Sequence, residues 1–111
     1  MKIDESISFL DEAKRAFLQE GIKYLMETLQ RPEYIILFGS YARGEEKAGS
    51  DMDLLVITKR EVDRILKGKL CSRFEEKNMD LVFYTRDTFQ TSQCLLVQQV
   101  KQEGIVLWKK N

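Results

Sequence analysis

Three short apolar runs constrain this chain more than anything else in it. They are Tyr34-Ile35-Ile36-Leu37-Phe38, the stretch from Asp53 to Thr58 with Leu54-Leu55-Val56-Ile57 at its centre, and Met79 to Thr85. Each is rich in β formers, and the first two are continuous where a half-exposed strand would alternate, so they read as strands covered on both faces. The stretches between them carry helical spacing. From Asp4 to about Gln30, Ile7, Leu10, Phe17, Leu25 and Leu29 recur at roughly helical intervals. Gly21 is expected to bend or split that helix, and Arg31-Pro32 to close it, because the residue before proline is pushed out of the α region. Glu61 to Lys77 reads as a second helix with Val62, Ile65, Leu66, Leu70 and Phe74 on one face, weakened at Gly68. Asp87 can cap a last helix carrying Phe89, Leu96 and Val100 and stopping at Gly104. Ile105 to Trp108 then makes a final short strand. The expectation is an α/β (α+β) fold, a small mixed sheet flanked by helices, in a single domain over residues 1–111.

Composition narrows the chemistry. There is no histidine among the 111 residues, which removes a Ser-His-Asp triad, a histidine general acid and any imidazole-ligated zinc site. Eighteen basic residues balance eighteen acidic ones, so tight non-specific nucleic-acid binding has no electrostatic footprint. Nucleic acid is therefore not expected as a direct ligand. No run approaches the ~18 apolar residues of a membrane span, and the acidic first ten residues do not read as a signal peptide. Cys71 and Cys94 form no CxxC pair, which suits a reducing cytoplasm. Catalysis, if present, must rest on carboxylates, cations and hydroxyls.

The residues that carry such chemistry lie at strand edges. Asp51 and Asp53 are two apart, and a strand's period of two points both carboxylates to one face. Carboxylates that close repel each other unless a cation lies between them, and a hard divalent ion such as Mg²⁺ suits oxygen ligands. Asp80 opens another strand and can join them if that strand lies beside the second. Before them, Gly39 lets the backbone approach a ligand, Ser40 offers a hydroxyl and an N–H to a phosphate oxygen, and Arg43 offers a fork. Asp-x-Asp alone is usually a turn, as is Gly-Ser; their order and strand-edge placement together give them meaning.

Gly39-Ser40-Tyr41-Ala42-Arg43-Gly44 followed by Ser50-Asp51-Met52-Asp53-Leu54 resembles the signature of the polymerase-β-type nucleotidyltransferase superfamily. The short length and the Ala-Arg-Gly element resemble its minimal nucleotidyltransferase (MNT) branch. The resemblance runs from about Tyr34 to Tyr84. It implies a pair of Mg²⁺ ions held by Asp51, Asp53 and Asp80, with Asp80 also helping to activate the attacking hydroxyl. It implies a triphosphate grip from Gly39 and Ser40, with Arg43 and Lys47 as cationic neighbours and ATP as the substrate. Lys47 stands where the family often has arginine, which keeps the charge and loses the bidentate geometry. Many MNT proteins resemble antitoxins encoded beside a helical HEPN ribonuclease toxin, which implies AMP transfer from ATP to a tyrosine of that toxin. The chain ends soon after Trp108 without a helical domain, so a partner is expected to complete the site, as a homo- or hetero-oligomer. Two other readings stay open: a non-catalytic antitoxin that occludes its partner, and transfer to a small molecule. The four tyrosines Tyr24, Tyr34, Tyr41 and Tyr84 are expected in packing. Trp108 either anchors a partner or closes the core. Glu45-Glu46 and Glu75-Glu76-Lys77 are expected to be solvated faces.

Overall fold

The computed structural model describes residues 10–30, 32–47 and 49–110. The elements run α1 (Glu12–Leu29), β1 (Tyr34–Phe38), α2 (Ser40–Arg43), β2 (Met52–Thr58), α3 (Arg64–Glu75), β3 (Met79–Thr85), α4 (Arg86–Thr91), α5 (Leu95–Glu103) and β4 (Ile105–Lys109). The strands form one mixed sheet in the order β3-β2-β1-β4. β1 is antiparallel to both β2 and β4, whereas β2 and β3 are parallel, joined by the α3 crossover.

Strand periodicity divides the core into two layers. Ile35, Leu37, Leu54 and Val56 face Leu18, Ile22 and Leu25 of α1 and Leu70 and Phe74 of α3. Ile36, Phe38, Leu55 and Ile57 face the opposite way, toward Val100 and Leu96 of α5 and Phe89 of α4. The central strands are thus covered on both sides, which is why their sequences are continuous in apolar residues rather than alternating.

Several local expectations are corrected. The first helix is continuous through Gly21: the missing side chain there admits Phe74, whose ring edge lies 3.0 Å from where a Cβ would stand. Close packing of α3, rather than a break, explains this glycine. The described helix starts after Asp11, whose carboxylate accepts the Lys14 N–H at 2.8 Å, and it ends at Gln30 in the left-handed region. Ile7, the proposed start near Asp4, and Arg31 lie outside the described residues. α3 begins at Arg64 with Asp63 as its cap, so Val62 precedes the helix, and Ile65 is 69% exposed rather than on the packed face. The last helical stretch is two helices separated at residues 92–94. The cap of the first of them is Thr85, whose hydroxyl accepts the Thr88 N–H, and not Asp87. Tyr41 is buried, Tyr24, Tyr34 and Tyr84 pack at the core margins, and Trp108 packs against the core with its indole N–H donating to the Pro32 carbonyl at 2.9 Å.

Candidate active site

β2 begins where the site begins. Asp53 pairs with Asp80 across the parallel β2–β3 ladder and with Phe38 across β1. Residues level with one another in a ladder project to the same face, so Asp53 and Asp80 stand side by side on the face shared with Leu55 and Val82. Asp51 lies just before the strand and is exposed.

Phe38 is the last residue of β1, and the chain then turns at Gly39, with φ of +78°, into α2. A Cβ at Gly39 would fall on the Asp53 carboxylate. Glycine is thus required twice over, by a backbone conformation that L side chains rarely adopt and by the carboxylate occupying the space. Ser40 follows, half-buried. A cleft of about 540 Å³ is lined by Gly39, Ser40 and Arg43 on one side and Asp53 and Asp80 on another, with Leu96 and Gln99 of α5 opposite.

The electrostatics of the cleft centre on Asp53. Burial pushes its pKa above the usual carboxylate range, and the charges of Asp80 and then Asp51 push it further, with Arg43 opposing. Asp80 and Asp51 thus both bear on Asp53. Among the described residues, no three acidic or cysteine side chains converge into a ready-made metal cage.

The donors in the cleft decide the kind of ion it suits. Besides the acids, Cys71 lines the cleft, and its thiol donates toward the Leu81 carbonyl at 3.9 Å. Burial raises its pKa, so the sulfur remains a thiol rather than a thiolate ligand. What is left is oxygen, which fits a hard ion such as Mg²⁺ better than zinc.

Arg43 and Lys47 are placed differently from the sequence expectation. The Arg43 Nε donates to Glu45 at 2.9 Å and its Nη1 to Glu103 of α5 at 2.8 Å. Arg43 lines the cleft, but two of its donors already serve carboxylates, and the salt bridge to Glu103 ties α2 to the last helix. Lys47 does not line the cleft at all; it borders a separate cavity. Sequence reasoning missed Leu96 and Gln99 as cleft residues and Glu103 as the partner of Arg43, all three from the far end of the chain. It also placed Glu75 on a solvated face; Glu75 is exposed there and lines the cleft as well. The helical spacing of Leu96 and Val100 was the available signal for α5, but no spacing shows which face meets Arg43.

Residues 20–111 match the family model described as Polymerase beta, Nucleotidyltransferase. A curated relative, the protein adenylyltransferase MntA of Shewanella oneidensis, is 30% identical over 90 residues. That match covers 78% of this chain, and the chain spans 61% of the relative's length. A crystal structure of a toxin–antitoxin complex with AMP-PNP superposes with a TM-score of 0.62 at 28% identity, covering 83% of this chain and 73% of the other. A structure of the tri-AMPylated Shewanella oneidensis HEPN toxin with an MNT antitoxin gives a TM-score of 0.59 at 25% identity, covering 83% and 69%.

Proposed function

The chain belongs to the polymerase-β nucleotidyltransferase family, and from that premise we propose that it transfers AMP from ATP to a protein hydroxyl, a tyrosine of a HEPN-type toxin, and so acts as the antitoxin of the pair. The observation that carries the reading is the level pairing of Asp53 and Asp80 beside the Gly39 turn. The likeness to MntA and to the AMP-PNP and AMPylated-toxin complexes supports the direction of the chemistry.

In this mechanism the Gly39 turn admits the triphosphate against the backbone, and the Ser40 hydroxyl donates to a phosphate oxygen. Asp51, Asp53 and Asp80 would hold Mg²⁺, two ions by the family resemblance. Bound there, Mg²⁺ supplies charge neutralisation on the triphosphate and a lowered pKa for the acceptor hydroxyl. A carboxylate oxygen of Asp80 takes the tyrosine proton as the phenolic oxygen attacks the α-phosphorus. The bond to the bridging oxygen breaks, AMP stays on the tyrosine, and pyrophosphate leaves. Positioning and electrostatics supply most of the rate in such transfers, which is why a site without histidine suffices. The free cysteines suit a cytoplasmic setting, and among the described residues no helix is long and apolar enough to cross a membrane.

The test is mass spectrometry of a cognate HEPN partner after incubation with ATP and Mg²⁺. AMP-sized increments are expected with the wild type and not with an Asp51→Asn/Asp53→Asn double variant. An unmodified partner that both proteins silence equally would replace this reading with occlusion.

A further inference from the structure

Lys47, which the cleft leaves unused, borders a second cavity of about 400 Å³ together with Lys14, Phe17, Tyr41, Ser50 and Lys77. Met52 and Met79 form part of its wall, and each directly precedes a cleft carboxylate. Alternation along β2 and β3 sends Met52 and Met79 to one face of the sheet and Asp53 and Asp80 to the other. The two cavities thus lie back to back, with the ends of these strands as their common partition.

We propose that this second cavity docks an acidic, partly apolar peptide segment of the protein acceptor, a proposal that rests on the acceptor being a protein. Its lining holds three ammonium groups against a single carboxylate, Glu46. Lys14 shares its charge with Asp11 at 3.7 Å, whereas Lys47 and Lys77 have no acidic partner within ion-pair distance among the described residues. The lysines come from α1, from the loop before β2 and from the turn before β3, so the positive charge is distributed rather than focused. Spaced carboxylates on an extended segment match that distribution better than one phosphate. The lining also lacks the planar arginine forks that select phosphate geometry.

Phe17 adds an apolar contact beside the cations, 49% exposed on the rim. Lys47 and Ser50 bond each other across the turn. The Ser50 N–H donates to the Lys47 carbonyl at 2.9 Å, the Lys47 N–H donates to the Ser50 hydroxyl at 2.9 Å, and Gly49 takes a φ of +86° between them. Ser50 leads directly into Asp51, so a segment seated here lies against the loop that carries the first carboxylate. The neutral charge of the whole chain argues against an extended nucleic acid as occupant.

The experiment is fluorescence anisotropy of the full chain with a labelled peptide of about twelve residues that alternates Glu and Asp with Leu and Phe. A labelled single-stranded RNA of similar length runs in parallel. The peptide should bind and weaken as salt rises, and a Lys14→Glu/Lys77→Glu double variant should lose tenfold or more in affinity. That variant should keep the wild-type thermal shift with Mg²⁺ and ATP, which shows that it is folded. The Asp51→Asn/Asp53→Asn variant should bind the peptide as the wild type does. Peptide affinity indifferent to the two lysines, or RNA binding more tightly with the same lysine dependence, overturns the docking site. AMP transfer failing while lysine-dependent peptide binding persists overturns the proposed activity and leaves the docking site standing.

Discussion

The Asp53 carboxylate fills the space that a side chain at position 39 would need, so the turn proposed to admit the triphosphate and the acid proposed to hold metal are one steric unit. Gly39→Ala adds a methyl group at that carboxylate and forces alanine to a φ of +78°. Strain of this kind costs roughly 1–3 kcal/mol, equivalent to a drop of roughly 4–15 °C in melting temperature for a domain near this size. The variant should also lose its thermal shift with Mg²⁺ and ATP. A melting temperature within a degree of wild type would show that the turn rearranges freely.

Asp53 sets a pH dependence in the metal-free chain. Its folded pKa lies above the unfolded value because of burial, then Asp80, then Asp51. The folded state therefore holds this proton more tightly, and the group's stabilising contribution is fully present below the unfolded pKa and lost as pH rises through the folded one. Asp53→Asn should raise the melting temperature of the metal-free chain at neutral pH and flatten its response across the mildly acidic range. It should abolish the Mg²⁺-dependent increment. Melting curves from pH 4 to 7.5, with chelator and with Mg²⁺, provide the measurement.

Nucleotide affinity should respond in opposite directions at two positions. Ser40→Ala removes the proposed hydrogen bond to a phosphate oxygen, which is charge-assisted and worth roughly 1.5–3 kcal/mol, a loss of roughly ten- to 150-fold. Glu103→Gln removes one of the two carboxylates that compensate Arg43, so the triphosphate meets a less neutralised guanidinium. Tightening by roughly two- to fivefold is expected, the scale of a partly exposed ion pair. Isothermal titration with a non-hydrolysable ATP analogue reads both, and weaker binding in Glu103→Gln would show that the bridge orients Arg43 for phosphate instead of competing for it.

Two helix glycines should separate under the same substitution. Nothing lies within 4 Å of a Cβ at Gly68, so Gly68→Ala should stabilise the protein by about 0.5–1 kcal/mol through helix propensity alone. At Gly21 the Phe74 ring must yield, and Gly21→Ala should bring no such gain. Urea unfolding at constant m-value tells them apart.

The two cysteines should differ in reactivity. Hydrogen bonding from Ser92 and then from the Tyr84 hydroxyl lowers the exposed Cys94 to about 7, while burial raises Cys71. Alkylation should therefore reach Cys94 first, its rate rising through neutral pH, and Tyr84→Phe should move that rise upward. Equal labelling of both thiols at pH 7 would contradict the assignment.

The strands were legible in the sequence to within a residue, because a two-sided sheet interior leaves an unbroken apolar run. The Asp51-x-Asp53 spacing and the Gly39-Ser40 step were legible because each has a local meaning. Asp80 was readable only as a condition, since no local pattern says which strand lies beside β2; the level pairing answers that. Gly21 misled because the sequence shows a missing side chain but not the Phe74 ring that takes its place. Asp87 misled for a related reason: Thr85 and Asp87 both suit a cap, and β3 continues through Thr85, which fixes the first turn of α4. That Arg43 also donates to Glu103, sixty positions away, is invisible to any window that contains it.

The level meeting of Asp53 and Asp80 has a kinetic consequence. β1 and β2 are antiparallel and joined by the shorter connection that holds α2, but β2 and β3 run parallel and pair only after α3 has carried the chain back across the sheet. Closing that longer connection is the slower kind of step in folding, since its entropy is lost before its contacts form. The like charges of Asp53 and Asp80 fall on that ladder, so electrostatic resistance is concentrated at the pairing that is already hardest to reach. A divalent cation held between them would then act as a counter-ion for assembly as well as for chemistry, and a chain that binds it has already completed its sheet.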